Sequence, residues 1–119
     1  MRRFSRAVLL ALGLAASLGT LPMPAAAQEI PLEKSNSGTW SVEYAGHHFK
    51  ISSTVAVKVR FEFVSATQVK LTFYSENDSP GRVSVYWAEF QKYIYTGPVP
   101  SSYEPWEGTL NTEGGFVDR

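Results

Sequence analysis

The sequence contains no cysteine and only two histidines among its 119 residues. The absence of cysteine excludes disulfide bonds, a thiol nucleophile, thiolate metal ligands and a lipidated lipoprotein cysteine. His47 and His48 are adjacent, and neighbours on a strand point to opposite faces, so the sequence predicts no metal site and no cofactor. Stability must come from apolar packing and strand pairing, to which an oligomer could add.

Positive charge is scarce after residue 27. From Gln28 onward there are eight basic and eleven acidic side chains, a formal charge of −3, although the whole chain is neutral. A mildly acidic domain has no electrostatic reason to bind nucleic acid or anionic lipid. The sequence therefore predicts neither as a partner.

The first 27 residues have the layout of a secretory signal peptide. Three arginines within the first six residues precede an uncharged apolar run over residues 7–21, and three alanines at 25–27 offer a cleavage site. That run would span about 22 Å as a helix, less than the ~30 Å hydrocarbon core. We expect export to the periplasm or exterior with no membrane span after cleavage. The general route ranks ahead of twin-arginine export.

Composition divides the remaining chain into three parts. Residues 28–38 are predicted to form an extended leader that ends in a turn, because they carry Pro31 and a Ser-Asn-Ser-Gly cluster. Residues 39–96 alternate polar and apolar side chains and are predicted to form a β domain. Residues 97–119, rich in proline and glycine, are expected to form an irregular tail.

Alternation is clearest in two consecutive runs, residues 55–63 and 69–74. Both place apolar side chains at odd positions, and polar side chains occupy even positions 58, 60, 62, 70 and 72. An antiparallel pair must match odd with odd, so we expect Phe61 opposite Leu71 and Glu62 opposite Lys70. The predicted face assignment requires this register.

A strong turn signal at residues 77–81 precedes a third alternating run. It predicts a further hairpin in which Phe73 lies beside Val85 and Leu71 beside Trp87. Beyond Trp87 the phase of alternation changes, which indicates a bulge or tight turn near residues 88–92. Together the runs predict an all-β fold, a small antiparallel sandwich or partly open barrel of about five or six strands.

Seven aromatic residues lie between positions 86 and 106. The alternation of the third run assigns Trp87 to the core, in phase with Val83 and Val85, and Tyr86 to the opposite face. Residues 103–106 (Tyr-Glu-Pro-Trp) could form a docking segment or a flap over an open sheet edge. Tyrosine and tryptophan combine an apolar face with a polar tip, which suits contacts with sugars and proteins. The candidate binding residues are Tyr86, Tyr93, Tyr95, Tyr103 and Trp106.

No nucleophile-elbow motif surrounds any serine, and the paired acids Glu104 and Glu107 lie in the predicted tail, so no catalytic residue is assigned. The sequence is best interpreted as an exported, non-catalytic binding module for an envelope or extracellular protein or glycan. One alternative is a structural or membrane-active β protein that inserts or assembles through its amphipathic hairpin, in which residues 55–63 would face lipid. A small hydrolase is a second alternative.

Overall fold

The computed structural model describes residues 30–119, and the predicted signal peptide lies outside them. The described chain is entirely β, as predicted, and contains no helix that is long and apolar enough to cross a membrane. All strand pairs are antiparallel. The strands described for residues 30–119 are β1 (Leu32–Tyr44), β2 (His47–Ser65), β3 (Gln68–Ser75), β4 (Arg82–Trp87), β5 (Lys92–Pro98), β6 (Trp106–Asn111) and β7 (Val117–Asp118).

The 19-residue strand β2 organises the sheet. Strand β1 pairs with β2 along one edge. Along the other edge β4 pairs with residues 49–53 of β2, and β3 pairs with its residues 57–65. Strands β5 and β6 pair with the outer edges of β4 and β3, and β7 pairs with β6. Thus β3 and β4 follow one another along β2 like a single interrupted strand.

The β2–β3 hairpin has the predicted register. Phe61 pairs with Leu71 and Glu62 with Lys70, so odd positions match odd positions throughout the regular part. The register shifts only between Phe63 and Ser65, next to the two-residue turn. Odd positions 57–61 of β2 and 69–75 of β3 are buried and Val55 and Phe63 are partly buried, which confirms the face assignment.

The sheet folds back on itself at the middle of β2. Phe49 and Phe61 are twelve residues apart, or about 40 Å in a straight strand, yet their ring centroids lie 4.8 Å apart. The other strands are interrupted at the same level, since the β1 register shifts between Asn36 and Gly38 and loops separate β3 from β4 and β5 from β6. The bend separates a β4–β5 half (38–44 of β1, 47–53 of β2, β4 and β5) from a β3–β6 half (32–36 of β1, 57–65 of β2, β3, β6 and β7).

Both halves bury their apolar faces against each other in a nearly closed, barrel-like shape. Tyr44 of one half contacts Phe63 of the other at 5.3 Å, and Tyr95 contacts Phe73 at 5.2 Å between ring centroids. Such aromatic contacts add to the free energy gained by burying the rings. The buried apolar residues are Val42, Tyr44, Phe49, Ile51, Val57, Val59, Phe61, Val69, Leu71, Phe73, Val83, Val85, Trp87, Trp106 and Leu110.

The predicted hairpin between the second and third alternating runs, residues 69–74 and the run after the 77–81 turn, is wrong. Val85 pairs with Ile51 of β2 and not with Phe73, and Trp87 pairs with Phe49 and not with Leu71. The turn residues 77–81 do not reverse the chain; they form a loop that interrupts one long strand. The reason is the length of β2: its edge continues past the end of β3, and residues 49–53 there pair with β4.

The segments on either side of the predicted β domain are more regular than expected. Strand β1 begins at Leu32, within the predicted leader, because residues 32–36 pair with β2. The prediction of an irregular structure from residue 97 onward is wrong, since β6 and β7 lie there. Strand β6 is stabilised by pairing with β3 and by burial of Trp106 and Leu110.

Candidate functional site

Four hydroxyl side chains form a row across the outer face of the β4–β5 half. Thr39 pairs with Ser52, Ser52 with Ser84 and Ser84 with Thr96, so the row crosses β1, β2, β4 and β5. Paired residues of antiparallel strands share a face. The Thr39 and Ser52 hydroxyl oxygens lie 2.9 Å apart and form a hydrogen bond. We call Thr39, Ser52, Ser84 and Thr96 the hydroxyl row.

A second row, which we call the aromatic row, runs beside the first. Ser41 pairs with Lys50, Lys50 with Tyr86 and Tyr86 with Tyr93. The two tyrosine rings meet edge to face with centroids 4.9 Å apart, and Tyr93 is 62% exposed. Aromatic, cationic and hydroxyl groups therefore lie side by side on one solvent-facing surface.

A β-bulge in β5 positions Tyr93 on this surface. Val85 pairs with Tyr95 but Tyr86 pairs with Tyr93, which leaves Ile94 as an extra residue in β5. Without the bulge, residues 93 and 95 would share a face, because side chains alternate along a strand. The bulge sends Tyr93 outward and Tyr95 inward. It lies just beyond residues 88–92, where the sequence predicts a bulge or tight turn; a turn at residues 88–91 confirms that prediction.

Two open depressions cover the rows and join at Ser52 and Ser84. The first, of about 420 Å³, is lined by Lys50, Ser52, Ser84, Tyr86 and Tyr93. The second, of about 380 Å³, contains the whole hydroxyl row together with Arg82. Because they share two lining residues, the depressions form one continuous strip along β4, which we call the outer strip.

The structure distributes the five candidate binding residues over three places: the Tyr86–Tyr93 pair, the Tyr95–Trp106 pair with ring centroids 6.1 Å apart, and Tyr103. Tyr86 and Tyr93 meet on the outer strip. Tyr95 instead packs inside against Phe73, and its hydroxyl donates to the Pro98 carbonyl oxygen. Tyr103 is 87% exposed in the loop between β5 and β6 and does not line the strip.

Trp106 corrects the prediction that residues 103–106 form a docking segment or a flap. It is 4% exposed, pairs with Phe73 at the start of β6 and stacks on that ring with centroids 5.0 Å apart. The indole lies over Gly108, where only glycine leaves enough room. A Cβ at this position would lie 2.8 Å from Trp106 Cζ3 and would collide with the ring. The sequence predictions assigned Trp106 no core position because the phase of β6 cannot be extended from earlier strands through the 99–105 loop.

The sequence predictions missed polar groups of the outer strip, among them Thr39, Lys50, Ser52, Arg82, Ser84 and Thr96. Alternation did indicate that Lys50, Ser52 and Ser84 point away from the core, since they flank Ile51 and Val85. It could not indicate that they meet, because that requires β4 to pair with β2. The backbone amide of Arg82 donates a hydrogen bond to Thr54 Oγ1 at 3.0 Å, which fixes the backbone of Arg82 against β2.

A cluster of one histidine and two glutamates, His48, Glu43 and Glu89, lies next to the aromatic row. Glu43 pairs with His48, whose ring Nδ1 lies 2.8 Å from Glu89 Oε2. The hydrogen bond with Glu89 raises the pKa of His48; burial opposes it, and the negative charges of Glu43 and Glu89 add to it. No group of three or more acidic or histidine side chains within residues 30–119 is placed to hold a metal ion.

Chemically, the outer strip can stack a flat apolar ring on tyrosine, exchange hydrogen bonds through hydroxyls and attract negative charge. No family model matches the chain, and comparison with curated proteins and with solved structures found no match. The case for a function therefore depends on the geometry of this strip.

Proposed function

We propose that the protein is an exported, non-catalytic binding module that contacts its ligand through the outer strip. The observation that carries the proposal is the edge-to-face pair of Tyr86 and Tyr93, held on a solvent-facing surface beside the hydroxyl row. Exposed tyrosines contribute large contact areas with few rotatable bonds, and binding energy concentrates in such anchors. Export is inferred from the signal-peptide layout of residues 1–27.

The membrane-active alternative receives less support. It would require the apolar face of residues 55–63 to contact lipid, whereas Val57, Val59 and Phe61 are at most 1% exposed within the core of the same chain. Exposing these side chains would remove the packing that joins the two halves. We therefore retain the binding module as the one proposal.

The test compares two exposed tyrosines, one inside the strip and one outside it. Wild-type protein, Tyr93→Ala and Tyr103→Ala would be applied to an oligosaccharide array and to an envelope extract, with bound material identified by mass spectrometry. We expect ligands that bind to wild type and Tyr103→Ala but not to Tyr93→Ala. Equal binding by all three proteins would refute the strip as the binding surface. Thermal melts would verify that both variants remain folded.

A further inference from the structure

We infer that the outer strip binds an acidic glycan, a polysaccharide or oligosaccharide that carries carboxylate groups; this rests on the proposed function. The strip is elongated, from the tyrosine pair at one end to Arg82 at the other. Tyr86 and Arg82 are four residues apart on β4, which corresponds to about 13 Å along the strand. A chain-like ligand fits this shape better than a compact one.

The groups along the strip match those of a sugar chain. The exposed ring of Tyr93 offers an apolar face to the C–H groups of a pyranose. Each side chain of the hydroxyl row can donate one hydrogen bond and accept others, as sugar hydroxyls can. Aromatic side chains beside hydroxyls on one flat surface thus favour a carbohydrate.

The charge of the strip favours an acidic carbohydrate over a neutral one. Lys50 and Arg82 line the depressions, and of the described lining residues none is acidic. Within residues 30–119 neither cation lies within ion-pair distance of a carboxylate. The chain after residue 27 has a formal charge of −3, so the two cations of the strip run against the overall balance. The neighbouring carboxylates of Glu43 and Glu89 lie outside the lining of the strip and contact His48. Arginine binds carboxylates through two parallel hydrogen bonds, which gives specificity as well as attraction.

Other macromolecular ligands fit the strip less well. A stable protein interface buries about 800 Å² per partner around an apolar centre. The aliphatic side chain that lines the depressions is Val83, which is only 3% exposed. Nucleic acid would need several cations along its phosphates, whereas this strip has two.

The experiment titrates the mature protein with three probes by calorimetry. Oligogalacturonate supplies both sugar rings and carboxylates, its methyl ester supplies the same rings without charge, and polyglutamate supplies carboxylates without sugar. We expect oligogalacturonate to bind at least about tenfold more tightly than the ester or polyglutamate. Binding should weaken as salt concentration rises, because ion pairs on an exposed surface are screened.

Variants separate this inference from the proposed function. Lys50→Ala and Arg82→Ala should each weaken oligogalacturonate binding about tenfold, whereas Lys70→Ala, a cation on the outer face of the β3–β6 half, should not. Equal affinity for the acid and its ester, both reduced by Tyr93→Ala, would overturn the acidic ligand but leave the binding strip intact. Binding of polyglutamate as tight as that of oligogalacturonate would overturn the glycan. Failure of Tyr93→Ala to weaken any ligand would overturn both proposals.

Discussion

The carboxylate of Glu89 binds His48 at two places. Its two oxygens accept hydrogen bonds from the His48 backbone amide at 2.9 and 2.8 Å, and Oε2 also contacts the ring Nδ1 at 2.8 Å. Glu89 lies in the turn between β4 and β5, so the contact fixes that turn against the start of β2. Burial tends to raise the pKa of Glu89, but the His48 backbone and ring hydrogen bonds outweigh it and lower the pKa.

This pair predicts a pH-dependent contribution to stability. The pKa of His48 is higher in the folded than in the unfolded protein. His48 therefore stabilises the fold fully below pH 6.5, the pKa of the unfolded state, and this contribution is lost as pH rises through the pKa of the folded state. The lowered pKa of Glu89 stabilises the fold above pH 4.5, and that contribution is lost as pH falls through the pKa of Glu89 in the folded state. The difference in unfolding free energy between wild type and His48→Gln should therefore be largest between pH 4.5 and pH 6.5 and should fall outside that window. Urea unfolding from pH 3 to 8 would measure it, and a constant difference would contradict the ring pairing.

Period-two alternation was sufficient to predict the β2–β3 register, because residues 55–63 and 69–74 each have one apolar face. It was not sufficient to predict the partner of β4. Residues 77–81 have the composition of a hairpin turn. The sequence near this turn does not indicate that β2 extends beyond the end of β3 and can pair with β4. At the bend, the Ser53 hydroxyl donates to the Val55 carbonyl oxygen at 2.6 Å, a local bond that competes with regular strand pairing.

The candidate site was predictable to the extent that it depends on alternation. Tyr86 faces outward because it neighbours Val85 and Trp87, which are buried. The orientation of Tyr93 depends on a bulge whose position the sequence predicted only within a few residues. The same bulge turns Tyr95 toward the core, where it is half-buried against Phe73, so Tyr93 and Tyr95 have different environments.

Alanine substitutions at neighbouring positions of β2 should differ strongly in effect. Phe61 is 1% exposed and contacts Phe49 and Tyr44, so Phe61→Ala should lower the free energy of unfolding by about 3–5 kcal/mol through a core cavity. Glu62 points outward and bonds to Arg60 at 3.3 Å, so Glu62→Ala should cost less than about 1 kcal/mol. Chemical denaturation of both variants measures this, and similar losses would contradict the face assignment.

The turn between β1 and β2 contains a strained alanine that can be relieved. Ala45 has a φ of 53° and Gly46 a φ of 84°, the signs of a type I′ turn, for which Asn-Gly is preferred. Because asparagine adopts left-handed backbone angles more readily than alanine, Ala45→Asn should raise the free energy of unfolding by about 1 kcal/mol. Ala66 lies in the β2–β3 turn without a positive φ, so Ala66→Asn is the matched control and should bring no gain. A gain of the same size in both variants would exclude backbone strain as the cause.

Processing of the exported protein should occur between Ala27 and Gln28. A cut at this point would leave the whole of β1, which begins at Leu32 and pairs with β2 from its first residue. Intact-mass analysis of protein recovered outside the cytoplasm would give the site directly. Retention of Met1 would contradict export through cleavage, and a cut beyond Ser37 would remove residues 32–36 from the sheet.

Trp106 should act as a core residue, whereas Tyr103 should be dispensable for stability. The indole is 4% exposed and stacked on Phe73, so Trp106→Ala should lower the free energy of unfolding by about 3–5 kcal/mol. Tyr103 is 87% exposed, and Tyr103→Ala should change stability by no more than about 0.5 kcal/mol.

A double-mutant cycle with Gly108 tests why the indole fits there. Gly108→Ala should destabilise the protein because the new Cβ would lie 2.8 Å from Trp106 Cζ3. The same substitution should cost much less in the Trp106→Ala background, where no ring occupies that space. Additive losses measured by urea unfolding would show that the indole does not lie over Gly108.

A Trp106→Ala protein as stable as wild type would contradict the core position of Trp106 and would restore it as a candidate contact residue.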